Sequence, residues 1–393
     1  MPTKHRKPAL NLPDVLLFLL ITGIFLTHIL IQFAATIGLV FLIFRFRRLQ
    51  FNFRYPLTIL SFLLAVIGII SLWFPVAQPE SAPALLPYLI LVSILPHFEQ
   101  RGKLSLPETI SRAKWIVILA AVAGLTGIIR HFEPLDRTKG LYGGYFTLAV
   151  SMTFAVPITL GWFCRLQARS RYLLLSLLAV QMAALWWTYT RTAFMALFVG
   201  MVIWIFREIW AARKAGNRFS RLFLTLLLAI PLSLIILTSS SSDHRINPLA
   251  PIPASESTSA AADLSSGRSG IIADAGKIIR QDFAQKNYLA LLAGHGIRSR
   301  SRQVQSKFKS WESDYLQSFM DLGVAGLVLI LLIYWTFLGW LRETFRREQP
   351  FYRSLAVAGV SFWLMSFLTL QLTSIVGAAI FCVIVAFLPS TPN

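Results

Sequence analysis

The chain has 393 residues, of which 56% are hydrophobic and only 14% are charged. A soluble domain of this length keeps about a quarter of its residues charged, so the composition excludes a soluble enzyme and indicates a membrane protein. The two cysteines, Cys164 and Cys382, fall in or beside apolar runs, which argues against a disulfide framework and a thiolate metal site. The net charge of +20 would suggest nucleic acid in a soluble protein, but here the basic residues must first be divided between the two sides of a membrane.

Apolar stretches recur along the chain at the length that membrane helices require. About 20 residues cross the hydrocarbon core as a helix, and a packed bundle tolerates shorter segments. The sequence predicts twelve spans, at residues 13–28, 29–44, 56–74, 82–96, 113–129, 145–163, 172–190, 192–206, 222–237, 319–341, 354–370 and 371–388. We therefore expect an all-α, polytopic membrane protein with about twelve transmembrane helices.

The basic residues divide unequally between the two sides of such a bundle. With the N-terminus inside, the inner segments are short and rich in Lys and Arg, whereas acids nearly balance bases outside. This follows the positive-inside rule and predicts cytoplasmic termini, and no nucleic-acid partner is needed to explain the charge. The basic start followed by an apolar run imitates a signal peptide, but no small-residue cleavage site follows, so we expect it to be retained.

One connection, residues 238–318, is far longer than the others and lies on the outer side. Long loops in compact proteins are usually functional or disordered. Its first part is rich in Ser, Ala and Pro, so we expect it to be flexible. From Arg268 to about Leu292, apolar residues recur at helical spacing, and Gly294-His295-Gly296 then ends the helix. The chain therefore divides into spans 1–9 (1–237), a loop forming a small helical cap (238–318) and spans 10–12 (319–393).

Two arginines on the outer side are candidates for anion binding. Arg191 lies where two apolar spans meet, a costly position unless it holds an anion or a dipole; snorkelling to lipid phosphates is the other interpretation. Arg268 precedes the loop helix, where the helix dipole favours anions, so an anionic ligand shared between the guanidinium and the first-turn amides would explain it. A solvated surface arginine is the simpler interpretation of Arg268.

Two further segments combine charges at the outer surface. The loop from Arg130 to Gly144 includes Arg137 and Lys139, and its glycines permit close backbone approach to a ligand; an ordinary turn with solvated charges is the alternative. Glu312 and Asp314 precede the tenth span. Partial desolvation would suit one of them to general base work, and capping of the next helix is the alternative.

The order of these motifs resembles the O-antigen ligase and O-antigen polymerase superfamily of bacterial inner-membrane proteins. The resemblance is carried by Thr-Arg-Thr-Ala at 190–193, Ser-Gly-Arg at 266–268, Gly-His-Gly at 294–296, Asp-Tyr-Leu-Gln at 314–317 and Leu-Gly-Val-Ala-Gly-Leu at 322–327. It is best between Gly140 and Ile333, and the first spans match only in hydropathy.

The resemblance implies transfer of a glycan from a polyprenyl diphosphate carrier to an acceptor hydroxyl on the periplasmic face, without a metal or another cofactor. It implies that Arg191 and Arg268 bind the diphosphate, where guanidiniums neutralise the charge that develops on the leaving group. The further residues assigned to substrate binding are Lys139, Arg137, Arg280, His295, Asp314 and Tyr315.

The chain departs from the family pattern at the expected general base. Family ligases carry His followed by Asn three residues before the Tyr of the Tyr-Leu motif, and Glu312 and Ser313 occupy those positions here. A carboxylate can take the acceptor proton equally well, so Glu312 is the catalytic base that we expect. Two alternatives stay open: His295 supplies the base, or the chain is no longer catalytic.

The resulting hypothesis is an inner-membrane polymerase of O-antigen or exopolysaccharide repeat units. Its expected partners are the lipid-linked glycan donor, a glycan or lipid A core acceptor, the bilayer, and chain-length regulator and flippase proteins. The runner-up is an O-antigen ligase, which shares the donor and the chemistry. A polysaccharide transporter or flippase is the alternative of another class, and it predicts polar residues at the middle of the spans.

Overall fold

A computed structural model of the protein describes residues 11–45, 55–72, 83–100, 104–131, 139–141, 144–163, 168–215, 268–304 and 310–388. Eight helices lie before the long connection: α1 (Leu12–Phe25), α2 (His28–Arg45), α3 (Pro56–Ser71), α4 (Leu86–Glu99), α5 (Leu106–His131), α6 (Tyr145–Phe163), α7 (Ala168–Trp187) and α8 (Arg191–Ala215). Six more are described after it: α9 (Arg268–Ala284), α10 (Tyr288–Ala293), α11 (Arg300–Gln303), α12 (Asp314–Arg346), α13 (Pro350–Ser366) and α14 (Ile375–Phe387). The described residues contain no strand, which confirms the predicted all-α class.

Five of the described helices, α5, α6, α7, α8 and α12, are long and apolar enough to cross a membrane. Shorter apolar helices include α1 to α4 and α14. Many large apolar side chains on them face outward, including Phe44, Phe206 and Trp335. Such surfaces suit a lipid environment and would be costly in water. Together these features indicate a membrane protein, while the count of twelve spans stays a prediction, since residues 222–237 lie outside the described part of the chain.

Several helices extend beyond the limits that hydropathy gave. The helix predicted at 113–129 begins at Leu106, and the helix predicted at 192–206 continues to Ala215. The reason is that hydropathy marks the apolar middle of a helix, whereas backbone hydrogen bonding continues through polar turns at its ends. One predicted helix is interrupted: the segment 268–292 forms α9 and α10, because the chain turns at Lys286 (φ 56°) and Asn287 caps the second helix.

The most buried of the long apolar helices is α6, and it packs closely on α13. At the C-terminal end of α6, a Cβ atom on Gly161 would overlap the side chain of Ser354, near the start of α13. Small residues permit this backbone approach, as they commonly do between membrane helices. The two helices therefore run antiparallel, and the start of α6 lies toward the end of α13.

The contacts between α8 and α13 are also antiparallel. Arg353, near the start of α13, forms an ion pair with Glu208 in the second half of α8 at 2.7 Å. Further along, Ser361 donates to the carbonyl oxygen of Ala196 at 3.1 Å. This register brings Arg191, the first residue of α8, to the end of the bundle where α13 finishes at Ser366.

The start of α12 lies at this same end. Ser313 donates to the carbonyl oxygen of Ser366 at 3.4 Å, and Ser366 donates to the hydroxyl of Tyr315 at 3.3 Å. We call it the cap end, because α9 and α10 also contact α12 near its start. The starts of α6, α8, α12 and α14 all lie at the cap end.

Candidate functional site

A kink in α12 attaches the cap to the bundle. Gly323 has φ 68° and ψ −164°, so the α-helical hydrogen bonding of α12 is interrupted there. The carbonyl oxygens of Met320 and Asp321 instead accept from the backbone N–H groups of His295 at 2.9 Å and Gly296 at 3.0 Å. The Gly-His-Gly turn thus satisfies backbone acceptors that the kink leaves without their helical partners.

The Gly-His-Gly turn crosses α12 at the kink, and both backbone segments require glycine at this crossing. Gly294 has φ 81°, and a Cβ atom there would overlap the carbonyl oxygen of Asp321. A Cβ atom on Gly323 would overlap the carbonyl oxygen of Leu292. The two backbones touch directly, and both glycines adopt the left-handed conformation that other residues rarely take.

Asp321 holds the segment after the turn. Its carboxylate accepts from the backbone N–H groups of Arg298 at 3.1 Å and Ser299 at 3.2 Å, and from the Ser299 hydroxyl at 2.8 Å. The side-chain amide of Gln317 also donates to it. Four donors on one buried carboxylate fix the cap segment against the first turns of α12.

The cap has a small hydrophobic core of its own. Ile271 and Ala275 of α9 are buried with Trp311 and Met320. The Arg300 guanidinium lies 4.7 Å from the centroid of the Trp311 ring and donates to a carboxylate oxygen of Asp274 at 3.0 Å. The ion pair of Arg300 and Asp274 therefore packs against this core. These contacts pack α9 against the junction between the loop and α12.

His295 forms a pair with Asp282, which lies near the end of α9. Nε2 of His295 is 2.9 Å from a carboxylate oxygen of Asp282, and both side chains are largely buried. The Asn287 amide donates to the other carboxylate oxygen at 3.3 Å. A carboxylate that accepts from Nε2–H leaves Nδ1 of His295 as a proton acceptor, an arrangement that suits general base chemistry.

Glu312 lies between Trp311 and the start of α12 in a strained conformation. Its φ is 55°, which is uncommon for a residue with a side chain, and such strain is concentrated at functional sites. The side chain is half-buried and accepts from the Ser310 hydroxyl at 2.9 Å. The adjacent Trp311 donates through its indole N–H to Ser299 at 3.1 Å, which joins Glu312 to the cap through the backbone.

Asp314 and Tyr315 face the turn between α13 and α14. Asp314 is fully buried and accepts from the backbone N–H groups of Gln371 at 2.9 Å, Leu372 at 2.8 Å and Thr373 at 3.1 Å. The hydroxyls of Tyr334 and Thr373 donate to it as well. The Tyr315 ring packs on Phe367 with a centroid distance of 4.8 Å. These contacts give the Asp314 carboxylate a structural role, because they hold the turn between α13 and α14.

Arg191 and Thr192 form the first turn of α8. The preceding Tyr189 has φ 50°, so the chain turns sharply before the helix begins. Thr192 is buried, and its hydroxyl has no hydrogen-bond partner within the described part of the chain. The positive end of the helix dipole lies at this turn, and the unsatisfied buried hydroxyl of Thr192 adds a donor there. This turn is therefore suited to an anion.

For three of the remaining predicted site residues, the structure gives a position along the chain and, for two of them, the exposure of the side chain. Arg268 is the first residue of α9. Arg280 of α9 and Lys139, near the start of α6, are exposed. Arg137 lies outside the described residues. Near Lys139, the Arg130 guanidinium donates to the carbonyl oxygen of Gly140 at 3.0 Å, which ties α5 to the segment before α6.

A cleft opens at the cap end between the starts of three helices. Its volume is about 280 Å³. The lining is predominantly apolar with three polar side chains, and it comprises His28, Phe146, Thr147, Val150, Ser374, Ile375, Val376 and Gly377. Its position among apolar helices and its lining suit the chain of a lipid.

Sequence reasoning missed Asp282 and the hydroxyl of Thr192. A signal for Asp282 was present, because it lies seven residues after Ala275 and so on the buried face of an amphipathic helix, where a carboxylate needs a partner. The orphaned hydroxyl of Thr192 depends on what surrounds it in the fold, and no sequence pattern shows that. Among the described residues, no group of three or more His, Cys, Asp or Glu side chains could hold a metal ion.

No family model matches the chain, and no curated protein matches it.

Proposed function

We propose that the protein is a membrane glycosyltransferase that moves a glycan from a polyprenyl diphosphate carrier to an acceptor hydroxyl on the periplasmic side of the bacterial inner membrane. The observation that carries the proposal is that four features lie at the same end of the bundle, the cap end. An anion-suited helix start at Arg191 and Thr192, the strained Glu312, the His295–Asp282 pair and an apolar cleft all lie there. A lipid-linked diphosphate sugar requires this combination of an apolar surface, cations and a base.

In the proposed reaction, the acceptor hydroxyl oxygen attacks the anomeric carbon of the donor sugar. The bond between that carbon and the diphosphate oxygen breaks, and the diphosphate leaves with the electron pair. Arg191, the positive end of the α8 dipole and Arg268 stabilise the charge that develops on it. The acceptor proton passes to the base, and a single displacement inverts the anomeric configuration.

Glu312 is the base that we propose, because it lies two residues before α12 at the cap end, in a strained backbone conformation that the surrounding structure must hold. The alternative base is His295, and its pairing with Asp282 is the observation that favours it. Glu312→Gln and His295→Asn separate the two, because only the variant that lacks the base should lose transfer while keeping wild-type amounts of folded protein. Loss of transfer in both would indicate that both groups contact substrate.

A polymerase of repeat units is the form of the activity that we favour, and a ligase is the runner-up. Surface and carrier-linked glycans of a deletion strain distinguish them on a gel. Single repeat units in place of the long ladder indicate a polymerase, whereas long chains accumulating on the carrier indicate a ligase. If the deletion changes neither pool, the proposed function is wrong.

The role of Arg191 is tested in the same strain. We expect Arg191→Ala to reduce transfer by about 100-fold, the usual cost of removing a group that stabilises developing charge. Arg207→Ala is the matched control, since Arg207 lies on the same helix toward the opposite end and contacts the Trp210 ring at 5.0 Å. A normal glycan ladder with Arg191→Ala, at wild-type protein level, would remove Arg191 from the mechanism.

The transporter alternative has less support from the buried polar groups. Gln181 of α7 is buried, but its amide bonds to Thr159 at 2.9 Å and to the carbonyl oxygen of Val117 at 3.2 Å. These bonds link three helices and satisfy the side chain, so packing explains Gln181 without a transport path.

A further inference from the structure

The cap exposes a group of large apolar side chains that the site does not use. Ile272 and Phe283 of α9 and Tyr288, Leu289 and Leu292 of α10 are each 56 to 65% exposed. Five such residues on two short helices exceed the scattered apolar residues of an ordinary soluble surface.

Helical geometry shows that α9 has an apolar face wider than its contact with the bundle. Ile271 and Ala275 are buried against Trp311 and Met320. Ile272 and Phe283 are eleven residues apart, about three turns, so they form a second stripe beside the buried one. The half-buried Ile279 lies on the same stripe.

The exposed side of α10 adjoins the outward surface of α12. The carbonyl of Leu292 lies directly against Gly323. Val324, the next residue of α12, is exposed, and so are Val328 and Leu331 further along this long apolar helix. The apolar side chains of α10 therefore continue a surface that suits lipid.

The charges on this part of the cap are complementary to a phosphate-rich surface. Lys277, Arg280 and Lys286 are exposed. The two acids of α9 are engaged elsewhere, Asp274 with Arg300 and Asp282 with His295. Arg280 lies beside the apolar stripe, about 80° around α9 from Ile272, and Lys286 follows the end of the helix, whereas Lys277 lies toward the far side. An apolar stripe with exposed cations beside it is the pattern of a helix that lies in the membrane interface.

We propose that α9 and α10 lie on the bilayer, with Ile272, Phe283, Leu289 and Leu292 among the lipid chains near the headgroups and Arg280 and Lys286 at the lipid phosphates. The occupant of this surface is an anionic phospholipid leaflet. The membrane then restrains the Gly-His-Gly turn from one side while α12 restrains it from the other. This inference does not depend on glycan transfer.

The first test uses single cysteines labelled with bimane in the full-length protein in lipid nanodiscs, after Cys164→Ala and Cys382→Ala. The probe positions are Ile272→Cys and Leu289→Cys. The control is Gln281→Cys, because Gln281 is exposed and lies nine residues from Ile272, on the opposite side of α9. Nitroxide-labelled lipid and aqueous iodide are the two quenchers.

We expect lipid nitroxide to quench the probes at 272 and 289, and iodide to quench the probe at 281. Equal iodide quenching at all three positions would overturn the proposal, because the surface would then face water. Protection of 272 and 289 from both quenchers would also overturn it, since a protein contact, such as a second copy of the chain, would then cover the face.

The second test concerns lipid charge. Nanodiscs of phosphatidylcholine alone are compared with an equal mixture of phosphatidylcholine and phosphatidylglycerol. We expect stronger lipid quenching at 289 in the anionic mixture, and loss of that difference in the variant Arg280→Gln/Lys286→Gln. An unchanged difference in this variant would exclude these cations from lipid binding.

Discussion

Gly294 and Gly323 are the residues at which the cap meets α12, and each contacts the other's backbone. Their positive φ angles and the lack of room for a Cβ atom are independent reasons for glycine. The crossing also brings the N–H groups of the Gly-His-Gly turn to the carbonyls freed by the kink. A change of either glycine therefore affects cap attachment as well as local backbone strain.

Gly323→Ala should destabilise the protein. The left-handed backbone conformation costs a residue with a Cβ about 1–3 kcal/mol, and the overlap with Leu292 adds to it. The measurement is the thermal unfolding midpoint of the full chain in detergent. Gly339→Ala is the control in the same helix, because a Cβ atom there meets no other atom within 4 Å and alanine is the better helix former. Equal midpoints for the two variants would contradict the crossing.

Thr192→Val separates a ligand-binding role from a structural one. The substitution keeps the shape of the side chain and removes a buried hydroxyl that has no hydrogen-bond partner within the described part of the chain. We therefore expect the unfolding midpoint to stay constant or rise, while glycan transfer falls. Thr188→Val is the comparison, since the Thr188 hydroxyl donates to the carbonyl oxygen of Leu185 at 2.7 Å. Unchanged transfer with Thr192→Val would exclude its hydroxyl from the anion site.

At the scale of elements, hydropathy predicted where helices occur because each apolar run must be covered by lipid or protein. It did not predict where α5 begins or where α8 ends, since those terminal turns are polar. Nor did it predict the break between α9 and α10, which depends on the backbone of Lys286 and the cap from Asn287. Apolar periodicity continues across that break, so the pattern alone favours one helix.

The turn between α13 and α14 is held by one side chain of α12. Asp314 accepts five hydrogen bonds there, three of them from backbone N–H groups. The sequence placed Asp314 in a motif and predicted substrate binding. The five donors come from the turn residues and Tyr334. These contacts within the fold are sufficient reason for a carboxylate at this position.

Asp314→Asn should lower stability. The amide retains one acceptor oxygen and turns an NH₂ group toward backbone donors, and each unsatisfied buried donor costs about 1–3 kcal/mol. Glu343→Gln is the matched control on α12, because Glu343 forms an exposed pair with Arg346 that contributes about 0–1 kcal/mol. Unfolding midpoints compare the two. Loss of transfer by Asp314→Asn without loss of stability would favour the predicted substrate-binding role.

At the scale of the whole molecule, the sequence pointed to candidate motifs but not to which of them lie at the same end of the bundle. Arg191 and the segment around Glu312 are separated by more than a hundred residues, and hydropathy contains no information on which helices pack together. Their common position at the cap end follows from the antiparallel register of α8 on α13. That register depends on the hydrogen bond from Ser361 to Ala196 and on one buried ion pair, which are contacts between distant parts of the chain.

Breaking the ion pair between Glu208 and Arg353 is the strongest test of this register. Arg353 donates to both carboxylate oxygens at 2.7 Å, and the Trp204 indole donates to one of them at 2.9 Å. Arg353→Met would leave Glu208 buried without its cation, and such breaks cost about 3–5 kcal/mol. We therefore expect a large fall in the unfolding midpoint and in the amount of protein in the membrane.

The double variant Glu208→Gln/Arg353→Met distinguishes the charge from the packing. It removes the uncompensated carboxylate while keeping similar volume, so most of the lost stability should return. Glycan transfer per folded molecule should then be close to that of the unaltered protein, because both residues lie far along α8 and α13 from the cap end. A double variant as unstable as Arg353→Met would mean that the geometry of the pair, rather than its charge, holds α8 on α13. Recovery of stability without recovery of transfer would mean that the pair sets the position of Arg191 at the site.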